Sequence, residues 1–328
     1  PEDTPGTGNT RPRERLFHNG VILLYPDGAP RFRMIYLNGG AAGRHGTSLT
    51  PAGRQNLRDF IKAGGSYVGS CAGAYITSKG LCYKKDSIND RESYLGIWPG
   101  YTRGTGVVKN RTGVVLEKKS PLLKYYDFGG DMRIDSVYHN GGCYLVENDP
   151  VYFAPGTEVL CYYDFPEGDK KRAEEGLEPL TGKVSGWAYV PSKTSGRIVV
   201  LGSHPEGVNF GERLEMMSAM CRYAIDGNAA PKVKAELKKG EVRQMTKDTR
   251  DNDPAFTKSG DKQCHHFAFA LPKKARNVVV RVESLEGYEL SLRLANGTFA
   301  FKEDAQYAAE GKEKVKELKF DELPAGTW

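Results

Sequence analysis

Apolar positions in the first two thirds of the chain fall into short blocks whose spacing alternates between strand and helix periods. Two apolar runs, Val21–Tyr25 and Phe32–Leu37, read as strands, and the second ends in Asn38-Gly39-Gly40, where a strand gives way to a loop of bare backbone amides. The next block predicts an amphipathic helix. Thr50 sits at its N-cap, Pro51 at the first helical position, Leu57, Phe60 and Ile61 form the apolar stripe, and Gly64-Gly65 end it. A short run of small and apolar residues, Ser66–Ser70, then predicts a buried strand that turns at Cys71 into a second helix through Ile76. Helix, strand, sharp turn and helix in succession predict an α/β fold.

From Leu81 to Val190 the pattern is strand-like, broken by Trp98-Pro99-Gly100, Asn140-Gly141-Gly142 and Ala154-Pro155-Gly156, with a charged insertion at Glu167–Glu178. Arg197–Leu201 predicts one more buried strand, ending in Gly202-Ser203-His204-Pro205-Glu206. Phe210, Leu214, Met217, Cys221 and Ala224 then recur at helical spacing up to Gly227. The expected organisation is a polar, mobile arm at 1–15, an α/β domain at 16–227, a Lys- and Asp-rich linker at 228–254, and a small β-sandwich at 255–328. The sandwich is read from alternating runs at His266–Leu271, Asn277–Val282, Tyr288–Leu294 and Val315–Phe320.

Composition narrows the class. At 328 residues, the 47 Lys and Arg exceed the 41 Asp and Glu by only six, and the cations form no stripe, so nucleic acid is not an expected partner. No run of about 18 apolar residues occurs, so no membrane span is expected, and a start at Pro1 without an apolar leader suggests a processed or trimmed end. The six cysteines have irregular spacing with no Cys-x-x-Cys pair, which argues against a disulfide scaffold. Cys264-His265-His266 lacks a second ligand pair, and Asp248, Asp251 and Asp253 lack the Gly and distal Glu of a calcium loop. No metal and no cofactor is expected.

Chemistry is concentrated at Gly69-Ser70-Cys71-Ala72-Gly73. A cysteine at a strand tip with glycine two residues before and two after meets the steric demands of a nucleophile elbow, and a following helix N-terminus favours thiolate. A buried structural cysteine in a tight turn is the competing reading. His204-Pro205-Glu206 supplies a general acid/base and a carboxylate to orient it, again just past a buried strand, where open α/β sheets place their sites. The amides of Ala72 and of the Gly39-Gly40 loop are candidate oxyanion donors, Gly40 foremost. Tyr101, His139 and Asn140 are candidate pocket residues, together with Asn38 and Gly39.

These residues resemble the class I glutamine amidotransferase-like superfamily, and within it the N-terminal domain of biotin-protein ligases. The matching stretches are Ile35–Gly40, Gly64–Tyr75, Leu95–Gly100, Tyr138–Gly142 and Gly202–Gly207. The resemblance implies a flavodoxin-like fold with a central, mostly parallel sheet, and a Cys71, His204 and Glu206 triad. Residues 255–328 resemble a bacterial prepeptidase C-terminal domain, a secreted β-sandwich. This implies a secreted or periplasmic protein attached to a surface or partner through that domain. Val21–Leu37 has too few residues for two strands and the crossover of at least about 10–12 residues that the fold has between them at its start, so a missing segment is expected there, as it is after Trp328. With no ligase region or ammonia-accepting synthase in the sequence, the expected activity is hydrolysis of an amide in a small molecule or peptide through a thioester. A silent binding module on the same fold is the alternative.

Overall fold

The computed structural model describes residues 23–24, 28–84, 87–147, 152–244, 257–259 and 262–328. The expected arm at 1–15, most of the Val21–Tyr25 run and the stretch Asp248–Asp253 lie outside the described residues. The chain forms two compact units, the first ending at Ala230 and the second spanning Pro231–Trp328.

The first unit begins with β1 (Met34–Leu37), α1 (Ala42–Lys62), β2 (Ser66–Ser70) and α2 (Ala72–Tyr75). It continues through β3 (Gly80–Lys84), β4 (Ser87–Asp90), β5 (Tyr101–Gly104), β6 (Asn110–Leu116), β7 (Arg133–His139), β8 (Cys143–Leu145) and β9 (Glu158–Asp164). It closes with α3 (Pro166–Glu174), β10 (Val184–Tyr189), β11 (Ile198–Leu201) and α4 (Glu212–Ile225). The result is an α/β unit with few helices and one sheet of 11 strands, whose main order is β1-β2-β11-β10-β8-β5-β3-β4, while β9 joins β10 to the β6–β7 pair.

The mostly parallel sheet expected from the resemblance is not what forms. β2 runs parallel to β1 and β11, and β3 to β5, but β10 is antiparallel to β8, β9 and β11, and β5, β6 and β7 add further antiparallel pairs. The reason lies in the connections. Parallel neighbours need a long crossover, and α1 provides one between β1 and β2, whereas the glycine- and proline-rich turns of 81–190 favour antiparallel pairing. One helix escaped the pattern: the charged insertion holds α3, with Pro166 at its start, Glu167 and Asp169 in its first turn, and no buried residue. A helix without an apolar stripe leaves no periodic signal.

Alternation along the central strands feeds two cores, one on each face. Tyr67, Trp187, Ile198 and Val200 pack with Leu57, Phe60 and Ile61 of α1. Val68, Ala188, Val199 and Leu201 pack on the other face with Met216, Ala219, Met220 and Ala224 of α4. Strands covered on both faces read as unbroken apolar runs, which explains the Ser66–Ser70 and Arg197–Leu201 signals. In α4 the buried stripe is rotated from the expected one: Phe210 and Leu214 are exposed and Met216 and Met220 are inside. Two adjacent apolar stripes fit the same 3.6-residue period, and only the sheet chooses between them.

α1 extends further back than expected, across a break at Thr50 (φ 62°, ψ 167°). The Thr50 hydroxyl accepts the Gly53 amide proton at 3.5 Å, so the expected cap is present, inside a longer kinked element.

In the second unit the stretch expected as linker contributes β12 (Val233–Glu236), and β13 (Thr257–Ser259), β14 (Lys262–Cys264), β15 (His266–Ala268), β16 (Ala270–Leu271) and β17 (Ala275–Glu283) follow. β18 (Leu292–Leu294), β19 (Tyr307–Ala309), β20 (Val315–Leu323) and β21 (Gly326–Thr327) complete it. Its described strands pair as small two-stranded sheets, of which β17 with β20 is the longest, and Val278, Val280, Leu318 and Phe320 pack around Leu294, Leu323 and Trp328.

Phe60 is fully buried between α1 and the sheet, and a side chain at Gly65 would strike its ring. Phe60→Ala is expected to cost about 3–5 kcal/mol, read as a lowered midpoint in urea unfolding with an unchanged slope.

Candidate functional site

The site is assembled where two parallel strands end together. Ser70 of β2 lies opposite Leu201 of β11, and the Cys71 amide donates to the Leu201 carbonyl at 2.9 Å, extending the ladder by one residue before the chain turns. Cys71 then adopts φ 49°, ψ −106°, a conformation that L-residues rarely hold and that costs on the order of 1–3 kcal/mol. Its neighbours leave no room for side chains. A Cβ on Gly69 would lie 2.6 Å from the Gly73 carbonyl oxygen, and one on Gly73 would lie 2.1 Å from that of Leu37. Both glycines of the motif are therefore required by sterics, as the sequence reading expected.

Beyond β11 the chain carries His204 and Glu206. The His204 amide donates to the Tyr138 carbonyl at 2.8 Å, tying this segment to β7. The imidazole Nδ1 lies 2.8 Å from Glu206 Oε1 and, since a carboxylate accepts, it carries the proton there. That leaves Nε2 as the ring nitrogen available to Cys71, which is near enough to raise the His204 pKa. Glu206 Oε1 accepts a further hydrogen bond from Ser70 Oγ at 2.9 Å, and the Tyr36 and Ser70 hydroxyls are 2.8 Å apart. Tyr36, Ser70, Glu206 and His204 thus form one polar chain running from β1 to the cysteine.

The electrostatics follow from this packing. Donation to Cys71 and then to the Glu206 carboxylate raises the His204 pKa to about 9 against the opposing effect of burial, so the imidazole is cationic at neutral pH. Burial pushes the Glu206 carboxyl up, but hydrogen bonds from His204, its own amide and Ser70 outweigh that and hold it below the usual carboxylate range. The helix N-terminus expected at Cys71 is that of α2, a single turn, too short to build up a macrodipole.

The expected pocket residues divide. Asn140 is at the site, its main-chain carbonyl accepting from the Cys71 thiol at 3.7 Å. Gly39 lies directly under the His204 ring, where a Cβ would be 2.0 Å from Cε1, so glycine here has a steric reason beyond an amide donor. Asn38 and Gly40 are exposed beside it, and Ala72 opens α2. His139 is a different case from the ligand contact expected. Its imidazole is fully buried, 2.7 Å from Thr105 Oγ1 and 2.8 Å from Ser203 Oγ, and burial followed by the His204 charge lowers its pKa to about 4. A neutral ring with both nitrogens engaged braces the β11 exit and has no face for a ligand. Tyr101 also falls elsewhere, donating to Asp90 at 2.6 Å and packing edge-on against Tyr152. Among the described residues no group of three or more His, Cys, Asp and Glu is placed to hold a metal ion, and no helix is long and apolar enough to cross a membrane.

Sequence reasoning missed Tyr36, Ser70 and His45. Tyr36 and Ser70 carry no local signal, because each reads as an ordinary strand residue. His45 lies in a glycine-rich stretch that forms the unexpected first part of α1, and its Nε2 is 3.3 Å from the Gly39 carbonyl.

The two histidines make opposite demands on pH. His204, raised above the usual 6.5, contributes stability that is complete below about pH 6.5 and is lost as pH rises through about 9. His139, lowered, leaves stability intact above about pH 6.5 and removes it as pH falls through about 4. Imidazole NMR titration should place one ring near each end of this window, and Glu206→Gln should bring the His204 midpoint down while leaving His139 in place.

The comparisons with known proteins bear on the family alone. The chain is 26% identical over 176 residues to an uncharacterised protein of Chlamydia muridarum, a match covering 50% of this chain and 64% of that relative, so it spans less than two thirds of the relative's length. Among solved structures, a ThuA-like protein from Bacteroides uniformis aligns over 60% of this chain and 72% of its own at 16% identity and a TM-score of 0.37. A beta-galactosidase from Bacillus circulans sp. alkalophilus aligns over 88% of this chain and 32% of its own at 10% identity and 0.31, likenesses too slight to carry an inference. The model of the family described as biotin-protein ligase, N terminal, matches residues 28–246, which hold β1 through α4 and with them Cys71, His204 and Glu206, and the chain belongs to that family.

Proposed function

We propose that the first unit is a cysteine-dependent hydrolase of an amide C–N bond, built as a class I glutamine amidotransferase-like, flavodoxin-like domain with a Cys71, His204, Glu206 triad. The observation that carries this reading is Cys71 held at φ 49°, ψ −106° with a histidine–carboxylate pair hydrogen-bonded beside it. A non-glycine residue kept in so rare a conformation between two obligatory glycines has a cost that a purely structural cysteine does not explain.

In this mechanism the Cys71 sulfur attacks the substrate carbonyl, and the amides of Ala72 and Gly40 hold the oxyanion. His204 donates its proton to the leaving amine as the C–N bond breaks, and Glu206 keeps the imidazole in the required tautomer. Water, deprotonated by His204, then cleaves the thioester and returns the thiol. Tyr138, half-exposed with its ring 5.5 Å from that of His204, supplies an aromatic wall for the substrate. The second unit, by its likeness to prepeptidase C-terminal domains, attaches the enzyme to a surface or partner in a secreted or periplasmic setting. A silent binding module on the same fold is the second reading, favoured by the near-complete burial of Cys71.

Iodoacetamide labelling followed by mass spectrometry separates the two. Cys71 is expected to react at least about tenfold faster than the buried Cys82 and Cys161, and His204→Ala should abolish that advantage. Labelling of Cys71 no faster than Cys82 overturns the catalytic reading in favour of a binding site.

A further inference from the structure

Two histidines bracket the Gly39-Gly40 peptide, and only one of them belongs to the triad. His204 packs on Gly39. His45, from the first turns of α1, packs on Gly40, where a Cβ would lie 2.8 Å from its Nε2, and Gly40 itself has φ 141°, open to glycine alone. The same Nε2 is 3.3 Å from the Gly39 carbonyl oxygen, which can only accept, so Nε2 bears the proton. His45 is held to its place by its own amide, which donates to the Ala41 carbonyl at 3.0 Å.

The Gly39 carbonyl and the Gly40 amide belong to one planar trans peptide, so they point in opposite directions. Fixing the oxygen fixes the hydrogen. Without a partner for the oxygen, a peptide between two glycines can rotate as a unit, because neither flanking residue has a Cβ to oppose it. A hydrogen bond to the oxygen also polarises the amide and makes its N–H a stronger donor.

We infer that His45 is a positioning residue that pins the Gly39-Gly40 peptide so that the Gly40 amide faces the reacting carbonyl of an acyl substrate. This rests on the proposed hydrolase reading. His45 itself touches neither the sulfur nor the substrate; it acts through the peptide. The role also gives the first part of α1 a purpose that its sequence does not reveal. The helix delivers an imidazole to the far side of the loop.

The test compares two reagents on the full chain. p-Nitrophenyl acetate acetylates a cysteine through an oxyanion: the sulfur–carbon bond forms, the ester C–O bond breaks, and p-nitrophenolate leaves. Iodoacetamide alkylates the same sulfur by displacing iodide and forms no oxyanion. His45→Ala is expected to slow acetylation of Cys71 about tenfold or more, with alkylation within about twofold of wild type, while His45→Gln, which offers an amide N–H at similar reach, should recover most of the loss. Equal slowing of both reagents, or unchanged acetylation, overturns the proposal. If wild-type Cys71 alkylates but does not acetylate, the hydrolase reading fails by itself, and the pinning is then decided by the Gly40 amide resonance. It should move and exchange faster with solvent in His45→Ala and return in His45→Gln; an unmoved resonance overturns the assignment.

Discussion

The structure turns on the backbone of Cys71. A strand that is buried on both faces runs into a one-turn helix within a single residue, and that residue adopts φ 49° because nothing slacker fits between Gly69, Gly73 and the Leu37 carbonyl. Strain on the order of 1–3 kcal/mol persists only where the surroundings over-determine it. Here the constraints are the Cys71 amide bonded to Leu201, the Tyr67 hydroxyl bonded to Gly73 at 2.7 Å, and two closely packed cores on either side of the strand. The sulfur is lifted from the sheet as a consequence of that packing.

The parallel pairing of β2 with β11 converts this local feature into a site. Because Ser70 and Leu201 lie in register, the residues just beyond each strand emerge side by side, and the His204 segment meets the cysteine without any long excursion. The antiparallel strands then serve as a brace: Tyr138 of β7 holds the His204 backbone, and His139, one residue on, reaches under it to Ser203. Two imidazoles so close can both be charged only at high cost. Burial removes the proton from His139, and Cys71 with Glu206 retains it on His204, so the pair carries one positive charge, on the ring that faces the sulfur.

The polar chain from Tyr36 through Ser70 to Glu206 ties a half-buried carboxylate into the sheet. A carboxylate that loses water on folding needs donors, and it finds them in its own amide, in His204 and in the residue immediately before Cys71. Ser70 therefore belongs to both halves of the site, as the last residue of the elbow strand and as a partner of Glu206.

Much of this was legible in the chain itself. The steric demands of a strand-to-helix elbow are local, so Gly69, Cys71 and Gly73 disclosed it; the Thr50 cap and the two-sided burial of Ser66–Ser70 and Arg197–Leu201 were readable for the same reason, since each depends on neighbours close in sequence. What the sequence could not decide were relations between distant segments. The antiparallel pairing of the middle strands, the rotation of the α4 stripe, the burial of His139, the placement of Tyr101 against Asp90 and the approach of His45 to Gly40 all depend on which surfaces meet in three dimensions. Propensity and period state what a residue can do within its own element; whether an imidazole ends neutral and buried against two hydroxyls or charged beside a carboxylate is settled only by what packs around it.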